Sequence, residues 1–124
     1  YAAAALDDYD LICAHVEAPD EAAHAADVGT KVEAIEAIDQ HVIAPIEEAL
    51  RKHGDEWRLL LLPDHYTRLD NRKHDPTAVP FVMIGKRVRS VLERAFSERN
   101  ANESDLHIAH GHELMEYFLF SGLG

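Results

Sequence analysis

The chain has 124 residues, the size of one ordinary domain, with 12 Lys+Arg against 23 Asp+Glu and a formal net charge of −11. That acidity argues against a sequence-independent grip on nucleic acid, which needs clustered Lys and Arg, and against docking on an anionic membrane. Hydrophobic residues make up 47%, enough for a core, while the longest apolar run, Leu59–Pro63, falls far short of the ~18 residues a membrane span needs.

In chain order, residues 2–8 (AAAALDD) read as the tail of a helix. The opening Tyr1-Ala2-Ala3-Ala4 without Met predicts a chain that begins partway through a longer protein. No charged-then-apolar leader pattern opens it, and the single Cys13 excludes an internal disulfide, so a cytoplasmic setting is expected. Tyr9–Glu17 (YDLICAHVE) reads as a strand buried on both faces, stopped by Pro19. Thr30 and Glu33 form a T-x-x-E pattern that predicts a capping box opening a long helix. Val32, Ile35, Ile38, Val42, Ile46 and Leu50 recur along it at helical spacing, Pro45 should kink or split it, and Gly54 should end it.

Trp57–Pro63 reads as a second apolar strand and Val79–Ile84 as a third, with Pro80 near its start or at an edge. Strand, long helix, strand predicts that 9–17 and 57–63 are parallel neighbours joined by a right-handed crossover. Residues 86–96 are ambiguous: Val88, Val91, Leu92, Ala95 and Phe96 fit a helix, but Gly85 fits a turn into irregular chain. Ser97–Ser104 predicts one short helical turn, and His112–Phe120 a terminal helix.

In open parallel sheets, sites form outside the carboxyl ends of the strands. The first strand ends at Glu17-Ala18-Pro19-Asp20, with His24 four residues on, and the second ends at Asp64-His65. A polar stretch of about 15 residues then carries His74, and loops that long are usually functional. Asp20, His24, Asp64, His65 and His74 should therefore converge as a mixed oxygen and nitrogen site suited to zinc, manganese or a similar divalent ion. Each has an ordinary alternative. Asp20 could be a helix cap, His24 a surface residue, and Asp64-His65 the close of a strand. Of nine His, His15 reads as a core residue, His41 and His53 belong to the long helix, and His107, His110 and His112 lie far from the strand ends. Arg68, Arg72 and Lys73 could face a phosphate but read better as solvated loop charges. Cys13 reads as a small core residue.

Together, Ala18–Asp27 (APDEAAHAAD), Leu62–His65 (LPDH) and His74–Phe81 (HDPTAVPF) carry D-x-x-x-H, then D-H, then a single His before a V-P-F strand. With the ending Gly111-His112-Glu113-Leu114-Met115, this order resembles the C-terminal part of archaeal-type cofactor-independent phosphoglycerate mutases, of the alkaline phosphatase superfamily of metalloenzymes. The resemblance covers nearly all of the chain. It implies a three-layer α/β sandwich with a mostly parallel sheet and helices on both faces. Residues 1–124 would be a single domain, the C-terminal part of the metal-binding domain. The N-terminal part and the inserted substrate domain would lie elsewhere.

The resemblance further implies two divalent metal ions (Mn, Zn, Mg or Co). Asp20, His24 and His74 would hold one, and Asp64 and His65 the other, with the remaining ligands and a Ser or Thr nucleophile outside this chain. The implied reaction interconverts 3- and 2-phosphoglycerate through a phosphoenzyme, with a small phosphorylated substrate as the partner and neither nucleic acid nor membrane. A fragment alone would lack activity and could self-associate. A related homoserine kinase, another phosphomutase or phosphatase, or a non-catalytic metal-binding module are the alternatives. Ala23 and Ala26 stand where the family usually has glycine, and a left-handed backbone at either would be strained. The stretch between His65 and His74 matches the family poorly.

Overall fold

The computed structural model describes residues 2–90 and 94–122. It is a mixed helix and strand structure that divides into two compact units, residues 1–55 with 65–77, and residues 56–64 with 78–124. No helix among the described residues is long and apolar enough to cross a membrane.

The first unit opens with a single 3₁₀ turn, Ala3–Ala5. The strand expected at 9–17 is not formed: this segment is irregular, with Tyr9 67%, Leu11 53% and Val16 41% exposed. A strand apolar on both faces needs ladder partners at its edges and a covering layer on each face, and among the described residues no strand pairs with this segment. Cys13 and His15, expected in a core, are exposed with it. Helix α1 (Ala18–His24) starts with Pro19 in its first turn, where a missing N–H costs nothing, and carries Asp20 and Glu21 near its positive end.

Helix α1 ends on a Schellman arrangement. The Asp27 N–H donates to the Ala22 carbonyl and the Ala26 N–H to the Ala23 carbonyl, both at 2.9 Å. Ala26 takes the left-handed conformation this requires, φ 59°. The strain expected for an alanine is therefore present at Ala26. Ala26→Gly should stabilise the fold by roughly 0.5–1 kcal/mol after allowing for glycine's freedom in the unfolded chain, seen as a higher urea midpoint. A lowered midpoint would contradict this.

Helix α2 (Val28–Ile38) begins earlier than the sequence pattern suggested, and its cap is Asp27 rather than Thr30. Asp27 Oδ1 accepts from the Thr30 N–H at 3.0 Å and Oδ2 from its hydroxyl at 2.8 Å. Thr30 thus sits one turn inside, as the orphan donor being capped. A wide π-turn, Asp39–Ile43, links α2 to α3 (Ala44–His53), with the Ala44 N–H reaching back to the Asp39 carbonyl. That turn immediately precedes Pro45, whose ring and missing N–H would disrupt a regular α-helical ladder. Gly54 ends α3 as expected. Leu50 is buried and Ile38, Val42 and Ile46 are half-buried, while Val32 and Ile35 at the start of the stripe are half exposed.

The polar stretch after Asp64 folds, still in the first unit, as an antiparallel hairpin. Strand β2 (Tyr66–Thr67) pairs with β3 (His74–Asp75), with Tyr66 opposite Asp75 and Thr67 opposite His74. The turn closes with the Arg68 N–H donating to the Lys73 carbonyl at 3.0 Å, and Arg72 adopts φ 58° within it.

In the second unit, β1 (Arg58–Leu61) pairs antiparallel with β4 (Val82–Gly85), in register Arg58 to Gly85 through Leu61 to Val82. The expected parallel pairing of 9–17 with 57–63 is thus replaced. Among the described residues both sheets are two-stranded and antiparallel. Pro80 precedes β4 and is buried. After β4 the chain turns at Lys86–Arg87 and is irregular over residues 88–90 and 94–97, while Val91 and Leu92 of the ambiguous stretch lie outside the described residues. Helix α4 (Glu98–Asn102) is capped by Ser97, and a 3₁₀ turn, Gly111–Glu113, leads into α5 (Leu114–Phe120) with Phe118 buried. Arg58 donates to the Phe118 and Ser121 carbonyls at 2.6 and 2.5 Å, satisfying the otherwise unpaired end of α5.

Candidate metal centre

Four of the five expected donors meet in the first unit. Asp20 and His24 lie four residues apart on one face of α1. The β2–β3 register places His74 opposite Thr67, with His65 two residues before Thr67. Donor atoms of Asp20, His65 and His74 all lie within 4.8 Å of one another. His24 joins them, its Nε2 3.3 Å from both His74 Nε2 and Asp20 Oδ2. His74 Nε2 is 3.8 Å from Asp20 Oδ1, and the His65 and His74 rings stack with centroids 3.8 Å apart. Asp64 belongs to the second unit.

The donor chemistry suits a cation. His24 Nδ1 donates to the Arg72 carbonyl at 2.9 Å, because a carbonyl can only accept. In the neutral ring Nε2 then carries a lone pair, aimed at the carboxylate of Asp20. Two electron-pair donors 3.3 Å apart repel unless a proton or a cation lies between them. An imidazole anchored through one nitrogen to a backbone carbonyl, with the other nitrogen free, is also how ligating histidines are usually held. The residues present therefore fit a divalent ion.

The Asp20 carboxyl is held below its ordinary value of 3.8, chiefly by the Thr67 hydroxyl, against a desolvation effect, with the charges of His24, His74 and His65 assisting. Elsewhere in the first unit, Asp27 is lowered by Thr30, Asp75 by Thr77, and Asp70 to about 2 by Arg68. A depressed carboxylate contributes stability above its unfolded pKa and loses it as pH falls through the folded one. Stability of the chain should therefore fall as pH drops below about 3.8. Urea unfolding followed at about pH 6 and about pH 3 checks this; equal midpoints would refute it.

Arg68 does not offer an open cation. Its guanidinium binds Asp70 at 2.9 and 2.5 Å and approaches Asp75 at 3.5 Å. Among the other His, His15 faces Glu17 at 3.7 Å, His53 faces Asp7 at 3.4 Å, and the exposed His110 and His112 rings stack at 5.7 Å. Two participants were missed in the sequence. The Arg72 carbonyl carries no side-chain signal at all. Thr67 had one: it stands two residues after His65, and period-two geometry puts such residues on one side of a strand.

A family model described as "Metalloenzyme superfamily" matches residues 1–120. The 2,3-bisphosphoglycerate-independent phosphoglycerate mutase of Methanothrix thermoacetophila is 41% identical over 115 residues, covering 93% of this chain and 29% of that protein. Phosphoglycerate mutase 2 of the same type from Methanothermobacter thermautotrophicus is 41% identical, covering 96% of this chain and 29% of its own length. A probable mutase of this type from Geobacter sulfurreducens is 37% identical, covering 93% and 29%. The chain therefore spans less than a third of these relatives. No solved structure gives a significant match.

Proposed function

Because the chain belongs to the Metalloenzyme superfamily, we propose that it is the metal-holding C-terminal part of a cytoplasmic phosphoglycerate mutase that interconverts 3- and 2-phosphoglycerate. The observation that carries the chemistry is the convergence of Asp20, His65 and His74 donors within 4.8 Å, joined by His24. The choice of substrate rests on the names of relatives 41% identical over 93–96% of the chain.

Asp20, His24, His65 and His74 would hold metal, and Asp64 would add a ligand to a second ion. Bound divalent ions supply charge neutralisation for a phosphoryl group and activation of a hydroxyl nucleophile. The chain's own residues do preparatory work. The Arg72 carbonyl orients His24, and the hairpin carries His74 to the face of α1. A Ser or Thr outside this chain would take the phosphoryl group as a phosphoenzyme and return it to the neighbouring hydroxyl. The rest of that domain would be a three-layer sandwich with a mostly parallel sheet, accompanied by an inserted substrate domain.

The test is an assay of the full-length protein with 3-phosphoglycerate. Chelation should abolish turnover, manganese or zinc should restore it, and the 124-residue chain alone should show none. Turnover that resists chelation, or turnover by the isolated chain, would overturn this reading.

A further inference from the structure

We propose that Thr67 is a positioning residue of this centre. Its hydroxyl holds the Asp20 carboxylate in place and fixes His65 as the tautomer protonated on Nδ1. The proposal rests on the reading of the cluster as a metal centre.

Thr67 is the buried polar residue among those described, only 6% exposed. Its hydroxyl contacts both Asp20 Oδ1 and, at 3.2 Å, His65 Nδ1. A hydroxyl has one proton. An ionised carboxylate can only accept, so that proton goes to Asp20. Towards His65 the same oxygen can then act only as acceptor, which requires the hydrogen on Nδ1. An imidazole without such a partner favours the proton on Nε2, so the hydroxyl decides which tautomer His65 presents to the cluster.

The group is also held rigidly. Thr is β-branched and stiff at χ1, its backbone is paired opposite His74, and its carbonyl accepts from Lys31 Nζ at 3.1 Å. One side chain therefore ties together residues from α1, from the approach to β2 and from the hairpin ladder. Outer partners of this kind typically change metal affinity 10- to 100-fold when removed.

The test uses the 124-residue chain with Thr67→Val, which removes the hydroxyl at nearly constant shape, and Thr67→Ser, which keeps it. Long-range ¹H–¹⁵N spectra, at a pH where the imidazoles are neutral, should show His65 protonated on Nδ1 in the wild type and in Thr67→Ser. Thr67→Val should move the proton towards Nε2. Calorimetric titration with zinc should show affinity lowered about 10- to 100-fold in Thr67→Val and restored in Thr67→Ser. His65 protonated on Nε2 in the wild type overturns the proposal, as does unchanged zinc affinity in a folded Thr67→Val. If Thr67→Val loses the wild-type far-UV spectrum, the wild-type tautomer and the Thr67→Ser titration decide. A wild-type chain that takes up no zinc defeats the metal reading itself, while the tautomer of His65 still shows whether Thr67 holds that ring.

Discussion

Asp20→Asn should lower the zinc affinity of the chain by more than about 100-fold, beyond the range expected for losing an outer partner, while the chain stays folded. Asp20 is the sole carboxylate of the cluster and faces three imidazoles. Asparagine keeps the shape and can still accept from the Thr67 hydroxyl, so little of the packing around α1 changes. What disappears is the negative charge that offsets a dication, and with it the strongest oxygen donor. His74→Ala should cost a comparable amount, since His74 approaches both Asp20 and His24. Asp70→Asn serves as the control, because Asp70 pairs with Arg68 in the hairpin turn and belongs to no donor group. Calorimetric titration measures all three. A loss under about 10-fold for Asp20→Asn, or an equal loss for the control, would show that the cluster is not the metal site.

Gly85→Ala should destabilise the second unit by about 2–4 kcal/mol, combining a strained backbone with an overpacked contact. Gly85 sits at φ 115°, a conformation other residues rarely adopt. A Cβ built there would lie 2.3 Å from the Trp57 carbonyl oxygen and 2.9 Å from Arg58 Cα. Both are backbone atoms and cannot swing aside. The same carbonyl accepts from the Lys86 N–H at 2.8 Å, so relief by moving Trp57 would also disturb the turn that closes the sheet. Gly111→Ala is the matched control, because nothing lies within 4 Å of its added methyl. Urea unfolding should show a large drop in midpoint for Gly85→Ala and little for Gly111→Ala. Similar midpoints for the two would refute the steric account.

The helices and the ligand candidates were legible in the sequence because their signals are local. Periodic apolar residues, Pro45, Gly54 and the closing HELMEYFLF run are each read within one or two turns, and α3 and α5 lie where that pattern put them. The cap of α2 was misread by three residues because Asp27 and Thr30 offer the same side-chain chemistry. Only the extended backbone of Asp27 decides between them.

The sequence also picked out Asp20, His24, Asp64, His65 and His74 by their place after expected strands, and four of the five lie together in the first unit although the strand expected before Asp20 is not formed. Tertiary structure decided what no local pattern encodes. The polar stretch became a hairpin because its register pairs Thr67 with His74, and that register alone brings His74 to α1. Segment 9–17 has the composition of a strand but no ladder partner among the described residues. Pairing is a property of two segments, and composition belongs to one. The direction of β1 against β4 is likewise set by which edge the later segment meets, so the same apolar run served a parallel expectation and an antiparallel result. Residue types were thus determined by the sequence, whereas tautomers, register and the sharing of one Thr67 hydroxyl between two cluster residues exist only once distant segments are in contact.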